Sequence, residues 1–445
     1  MIQLKARQMV NKPDDGQSMI ENNPDTNNSS NVVDIAIIGG GIAGLWTLAR
    51  LCQSGYQAIL LEADHLGCAQ SGASQGIIHG GTKYALTGKL THSSQSIQEM
   101  PQRWKDCLDG HGEVDLSQAR KLSSHQYLWS NKSLASRLTG FFASKVMSSR
   151  MQHLLASDYV PPFDCVDFKG ELYQLDEPVL DIQSVVETIR KQYEQLLFQA
   201  NVDEINLHEG VDTSLRATYQ LKAAGQNIAI TARTVILTAG AGNEKLLASL
   251  NLEQPEMQRR PLFMPMLKAK SSLLPKMYAH CLGASALPKM TITSYYLPAD
   301  NKDNETQVVW YLGGEIAEKG INRSIEEQVF AAKQNLQTLM PWMNFSQCQW
   351  SALAIDRAEP KMPDGSRPVE PAVFRHNNVI TAWPVKLAMT PIMVDKIVTE
   401  LQQAGVPKNS QPAHLLGKKL DDQTMTDLAP AQTARLPWEK VQNWL

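Results

Sequence analysis

The sequence predicts an α/β chain, α+β taken as a whole: one Rossmann-like nucleotide-binding domain with a mostly β-sheet domain inserted into it. Three observations predict this. The run VVDIAIIGG at 32–40 reads as a buried strand entering a glycine cluster. IAGLWTLARLCQSG follows, with Ile42, Leu45, Leu48, Ala49 and Cys52 at helical spacing and a stop at Gly55. QAILLE at 57–62 is a second short apolar strand, closing a β-α-β unit of roughly 30 residues.

The totals bound the rest. At roughly 100–200 residues per domain, 445 residues allow two or three domains. A hydrophobic content of 43% supports a large core. A net charge of -3 and the lack of a long basic run give no electrostatic case for nucleic acid. Cys52, Cys68, Cys107, Cys165, Cys281 and Cys348 have no CxxC spacing and no histidine cluster. That argues against a metal site or a disulfide framework and fits a reducing, cytoplasmic compartment. No apolar run reaches the roughly 20 residues of a membrane helix. Docking at the inner-membrane surface through an amphipathic segment stays open. Residues 1–31, rich in Asn, Asp and Ser, are expected to be a disordered tail. They lack the apolar centre of a secretory signal, and Asp14, Asp15, Glu21 and Asp25 weigh against an organelle-targeting segment.

Further along, 90–165 reads as mixed, polar and helical. GELYQLDEPVLD at 170–181 reads as a strand, a turn and a helix start, with Asp181 as N-cap. Apolar residues at 182, 185, 186, 189, 193, 196 and 197 then mark a helical face. Residues 211–231 suggest a β-meander, and TVILTAG at 234–240 a buried strand. The span 262–320 is strand-rich, including YYLP and VVWYLGG. IEEQVFAAKQNLQTLMP is an amphipathic helix, NVITAW at 378–383 a last buried strand, and 387–403 a helix. After Pro407 the chain is polar, with Trp438 and Trp444 as anchors to the body. The expected division is a nucleotide domain over 32–95, 165–255 and 350–405, a substrate or cap domain over 96–164 and 256–349, and a tail over 406–445.

The fingerprint Gly39-x-Gly41-x-x-Gly44 lies between the first strand and its helix, and Glu62 ends the second strand. Gly39 makes the tight turn, Gly41 lets a pyrophosphate approach the backbone, and Gly44 allows close helix–strand packing. The helix N-terminus offers N–H donors and the positive end of a dipole. Glu62 can accept hydrogen bonds from an unphosphorylated ribose. A strand before, a helix after and an acid in place make this fingerprint specific. The segment after Glu62, ADHLGCAQSGASQGIIHGG, is a long loop with Ser71 and Ser74 amid small residues. Such a loop can wrap a pyrophosphate and follow a large flat ring, which points to FAD bound extended.

Gly39–Gly44, Glu62, the SGAS…IIHGGTKY loop and TVILTAG together resemble the D-amino-acid-oxidase-like FAD-dependent oxidoreductases, from about residue 32 to 403. His79-Gly80-Gly81-x-Lys83-Tyr84 is similar to the His-Gly-Gly-x-Arg-Tyr of FAD-dependent glycerol-3-phosphate dehydrogenases, and L-2-hydroxyglutarate dehydrogenases carry a related segment. Lys386-Leu387 before a helix resembles the Gly-Gly-Lys-Leu turn that faces the flavin in the glycerol-3-phosphate type. The resemblance implies a flavin domain assembled from separated segments, with a substrate sheet over the isoalloxazine, and cofactor contacts at Gly240, Lys386 and Leu387. Three features depart from the pattern: Lys83 replaces Arg, Ile355-Asp356-Arg357-Ala358 replaces Gly-x-Arg-Pro, and Trp383-Pro384-Val385-Lys386 lacks the usual glycines.

The residues themselves leave alternatives. His79, with an ordinary pKa of about 6.5, suits proton abstraction at neutral pH. It could equally be structural, or an attachment point for the flavin. Lys83 and Arg357 could clamp a carboxylate or phosphate, or form ion pairs, since Asp356 and Glu359 flank Arg357. Tyr84 could orient substrate or pack under the loop. The expected activity is FAD-dependent oxidation of a small anionic hydroxy compound, a 2-hydroxy acid or glycerol 3-phosphate, by hydride transfer to flavin N5. An amine or amino-acid oxidase, or a flavoprotein subunit without turnover, are the alternatives. The electron acceptor would be a quinone, oxygen or another protein.

Overall fold

The computed structural model describes residues 32–81, 97–130, 151–208, 218–223, 229–283, 287–297, 306–408 and 428–445. β1 (Val32–Ile38) is the centre of the first sheet. It pairs in parallel with β2 (Ala58–Glu62) on one side and with Ala229–Leu237 on the other. Strands buried on both faces need apolar residues at successive positions rather than at alternate ones. Ile35, Ala36 and Ile37 are accordingly all fully buried. The nine-stranded sheet runs Ala372–His376, Val379–Trp383, Ala229–Leu237, β1, β2, Leu197–Gln199 and Ala429–Pro430. Thr218–Ala223 and Val202–His208 extend it in antiparallel fashion from Ala229–Leu237. α1 (Ile42–Gln53) covers it with Leu45, Trp46, Leu48 and Ala49, all buried. The helices Ile182–Gln192 and Thr390–Gln403 flank α1.

The second sheet has eight strands in the order Gln349–Pro360, Met257–Lys270, Gln307–Gly313, Met290–Leu297, Ala279–Cys281, Gln126–Ser130, Glu171–Leu175 and Met151–His153. Its first two strands pair from Met257 opposite Pro360 to Lys268 opposite Gln349. Ile325–Leu339 packs behind them. Its N-cap Ser324 accepts from Glu327 N while the Glu327 carboxylate accepts from Ser324 N, a complete capping box. Asp181 caps Ile182–Gln192 as the sequence indicates, accepting from Ser184 N at 3.1 Å.

Several elements fall elsewhere than the expected division. Gln349–Pro360 and Glu171–Leu175 belong to the second sheet, because each finds its antiparallel partner there. Helix Met100–Leu108, expected in the cap, packs in the first core: Trp104 is fully buried, lies 4.5 Å from the Trp46 ring and donates from Nε1 to Ala388 O at 3.0 Å. The polar span 90–165 also holds strands rather than helix alone. Gln126 and Ser130 are polar yet buried, which hides the strand's core face from a hydrophobicity reading. At the C-terminal end, Ala429–Pro430 adds an edge strand to the first sheet. Trp438 stacks on Tyr295 at 4.1 Å, and Trp444 lies under the Lys268 ammonium at 4.2 Å. No helix among the described residues is long and apolar enough to cross a membrane.

Candidate functional site: a dinucleotide groove ending in a cationic chamber

The glycine turn after β1 is dictated by close approach. Gly39 has φ 107°, and a Cβ there would sit 2.5 Å from Ala239 Cα. A Cβ on Gly44 would sit 2.0 Å from Gly39 O. Both glycines are therefore required by the protein's own packing. Gly41 is different: a Cβ there would meet only Ser71 Oγ, at 3.1 Å. That hydroxyl would have to give by a few tenths of an ångström, and on its other side Gly41 faces the cavity. Gly41 is the N-cap of α1 and lines a cavity of about 650 Å³, and the first helical donor, Ile42 N, reaches Ser71 Oγ at 2.8 Å.

That cavity also takes in Glu62, Ser71, Ser74, His79, Gly240, Arg357, Lys386 and Leu387. Glu62 is buried at the end of β2, with Oε2 accepting from Gly40 N and Oε1 from Asp64 N at 2.9 Å. Burial raises its pKa, and the two backbone donors work against that rise. They also aim the carboxylate at the groove, where ribose hydroxyls can donate to it. Ser74 Oγ is buried with no hydrogen-bond partner among the described residues. A buried hydroxyl left so costs about 1–3 kcal/mol. Gly41, the N-terminal end of α1 and this hydroxyl line one cradle, and a pyrophosphate-bridged dinucleotide fits it.

Gly240 has φ 58°, and its carbonyl accepts from Trp383 Nε1 at 3.1 Å, tying the ends of two parallel strands together beside the groove. Leu387 opens a short 3₁₀ turn, Leu387–Met389, that leads into Thr390–Gln403. Before it, Lys386 N donates to Pro384 O at 2.6 Å around Val385, whose φ is 62°. A β-branched residue in that region is strained. The turn keeps the left-handed backbone of a glycine although its sequence has none. Lys386 is buried, and desolvation together with Arg367 pushes its pKa down to about 8.

Arg357 lies on Gln349–Pro360. Its Nε donates to Arg260 O at 3.0 Å and its guanidinium is 3.4 Å from Glu318. Burial, then Arg260 and Arg367, lower its pKa to about 10, so it stays charged at neutral pH. Glu359, the ion-pair alternative suggested by the sequence, pairs with Arg260 instead, and Asp356 pairs with Arg259. His79 lines the cavity half-buried, and the next amide, Gly80 N, donates to the buried Glu177 at 2.7 Å. Lys83 and Tyr84 lie outside the described residues.

Sequence reasoning missed other lining residues. Arg367 sits in a turn after Gly365 and donates to Val385 O at 3.4 Å, which places it over Lys386. His280 is buried, with Nδ1 2.7 Å from Thr291 Oγ1. Gln75 donates to Thr291 O at 3.1 Å and to Tyr311 O at 2.9 Å, which fastens the cofactor loop to the second sheet. Arg367 and His280 belong to a turn and a strand whose local pattern carries no motif, and although Gln75 lies in the recognised loop, only the meeting of the two sheets reveals its partners.

An extended dinucleotide groove on a parallel sheet, leading to a cationic chamber under an antiparallel sheet, defines a flavin-dinucleotide oxidoreductase. Residues 34–380 match the family model described as "DAO: FAD dependent oxidoreductase". The chain belongs to that family: it is an FAD-dependent oxidoreductase, and FAD is its cofactor. It is 42% identical over 382 residues to a probable FAD-dependent oxidoreductase of Pseudomonas aeruginosa, covering 85% of this chain and 93% of that protein. The crystal structure of that protein superposes with a TM-score of 0.74 at 36% identity, covering 92% of this chain and 98% of that one. A 66-residue stretch is 45% identical to the aerobic glycerol-3-phosphate dehydrogenase of Escherichia coli K12, or 15% of this chain and 13% of that protein. The L-alpha-glycerophosphate oxidase of Mycoplasma pneumoniae, solved with FAD bound, shares the fold at a TM-score of 0.58 and 13% identity, over 83% of this chain and 95% of that one.

Two outcomes follow for the site. Gly41→Ala should leave a folded protein, by far-UV circular dichroism, that holds FAD at least about tenfold more weakly, a loss of about 1.4 kcal/mol; full retention of flavin would remove Gly41 from the cradle. Lys386 has a folded-state pKa below its unfolded value of about 10.4, so between about pH 8 and that value the unfolded chain binds more protons. Stability of the FAD-stripped protein should therefore rise with pH across that window, measured by urea unfolding, and Lys386→Met should flatten the rise.

Proposed function

We propose that the protein oxidises a small anionic hydroxy compound, a 2-hydroxy acid or glycerol 3-phosphate. The observation that carries this reading is the grouping of Arg357, Arg367 and Lys386 on the cavity wall, close enough that Arg367 depresses the pKa of both others. Arg357 already has Glu318 at 3.4 Å and Arg367 is exposed, but an anionic substrate group entering the chamber would meet the charge of all three. The local likeness to an aerobic glycerol-3-phosphate dehydrogenase supports the same substrate chemistry.

When bound, FAD supplies the two-electron acceptor for the substrate C–H bond. The chain's own residues do the rest. Arg357 offers a planar fork to a carboxylate or phosphate, and Lys386 a compact charge beside it. His79 takes the hydroxyl proton as the carbonyl forms, a role its imidazole can fill near neutral pH. The second sheet puts Leu262 and Met264 in the chamber lining, an apolar wall that would hold the substrate against the groove. The acceptor that reoxidises the enzyme is a quinone, oxygen or another protein.

The test is anaerobic mixing of the yellow protein with glycerol 3-phosphate, L-2-hydroxyglutarate or glycine, followed at the visible flavin band. A hydroxy compound should bleach it, and glycine should not. Bleaching by glycine alone would replace this reading with an amine oxidase; bleaching by none would leave a flavoprotein without turnover on these classes.

A further inference from the structure

Residues 76–80 run antiparallel to 177–180 in a short ladder. Leu180 N donates to Gly76 O at 2.9 Å, Ile78 N donates to Pro178 O at 3.0 Å, and Ile77 bridges Val179. The next donor on that edge is Gly80 N, and its acceptor is a side chain: Glu177 Oε1, at 2.7 Å. The other oxygen of the same carboxylate, Oε2, accepts from Gln126 Nε2 at 2.6 Å, on the Gln126–Ser130 strand of the second sheet. Glu177 is 2% exposed and Gln126 is 0% exposed. A carboxylate at that depth is expensive, and only close hydrogen bonding makes it tolerable.

What the carboxylate holds is the backbone immediately after His79. His79 is followed by Gly80 and by Gly81, which has φ 79°. Two glycines in succession restrain the chain very little, so the direction of the imidazole has to be set from outside the turn. On its N-terminal side the turn is fixed by the ladder and by the buried Ile78. On its C-terminal side, Glu177 extends the ladder by one rung and links it to the substrate sheet. Neither the glycine fingerprint nor the cationic group accounts for this buried acid.

We infer that Glu177 is a positioning residue: it locks the His79-Gly80-Gly81 turn to the second sheet and so fixes the imidazole relative to the substrate. The inference rests on the reading of His79 as the proton acceptor. Its content is geometric, so reach matters more than charge. Glu177→Gln keeps the reach: its amide oxygen can accept from Gly80 N, and its nitrogen can donate to Gln126 Oε1, which has no partner among the described residues, once the Gln126 amide turns over. Glu177→Asp keeps the charge but is one methylene shorter.

The experiment compares these two FAD-loaded variants with the wild type by hydrogen–deuterium exchange of the peptide covering 76–81, and by kcat and KM on whichever of the three test compounds bleaches the wild type. Glu177→Gln should keep most of kcat and the slow exchange. Glu177→Asp should exchange faster and lose kcat by about 100-fold, the scale of an ångström-sized misplacement, while KM and FAD content change little. The reverse ranking, or a Glu177→Asp enzyme with wild-type kcat per bound FAD, would overturn the inference. If glycine rather than a hydroxy compound reduces the wild type, the proposed substrate class fails while the ranking still tests Glu177. If no compound reduces it, the exchange alone decides, and equal exchange in all three proteins overturns the inference.

Discussion

The site depends on one steric constraint: where α1 meets the sheet, Gly39 and Gly44 have no space for a side chain. Gly44 sits where a Cβ would come within 2.0 Å of Gly39 O, and Gly39 where it would strike Ala239. The helix is thereby drawn down onto the sheet, and Thr238 Oγ1 donates to Gly39 O at 3.0 Å across the contact. The N-terminal end of the helix is left at the carboxyl edge of the parallel strands. That edge is where a ligand can meet several strand ends at once. Glu62 and Gly240 are both there because their strands are hydrogen-bonded to, or next to, the strand that carries the turn.

The second sheet converts this groove into a reaction chamber. The long segment after β2 lies between the two sheets and is held by both. Ser71 caps α1, Gln75 donates into the second sheet, and Tyr311 donates from its hydroxyl to Ala73 O at 3.1 Å. A loop so rich in small residues would be loose by itself. Pinned from two sides, it can approach a large cofactor closely and still present His79 in one direction. The chamber also stores unfavourable energy. Val385 is held in a left-handed conformation at about 1–3 kcal/mol, and Lys386, Arg357 and Arg367 crowd one wall. Such costs persist where ligand binding repays them.

The sequence displays the local parts well and the long-range ones poorly. β1, α1, β2 and their glycines are consecutive, so periodicity and spacing reveal both the elements and their purpose. Asp181 as a cap and the helix at Ile325–Leu339 are legible for the same reason. Gln349–Pro360 was placed with the nucleotide domain, since its partner lies about ninety residues earlier and antiparallel pairing leaves no local mark. Helix Met100–Leu108 looked polar because only Met100, Pro101, Trp104 and Cys107 are buried. In the site, Arg357 and Lys386 were legible through neighbouring motifs. Arg367, His280 and Glu177 were not, because what marks them is burial against a distant element. The Trp383–Lys386 turn lacks glycines in sequence, and only the structure shows that Val385 takes up a left-handed backbone there.

The measurement that bears most directly on the central claim is the visible absorption spectrum of the purified protein, before and after acid precipitation. The expected result is a yellow protein with the spectrum of FAD, since the cradle of Gly41, Ser71 and Ser74 fits that cofactor, and the precipitation step reports whether His79 or another residue attaches it covalently. A colourless protein that stays colourless when FAD is added would contradict the account.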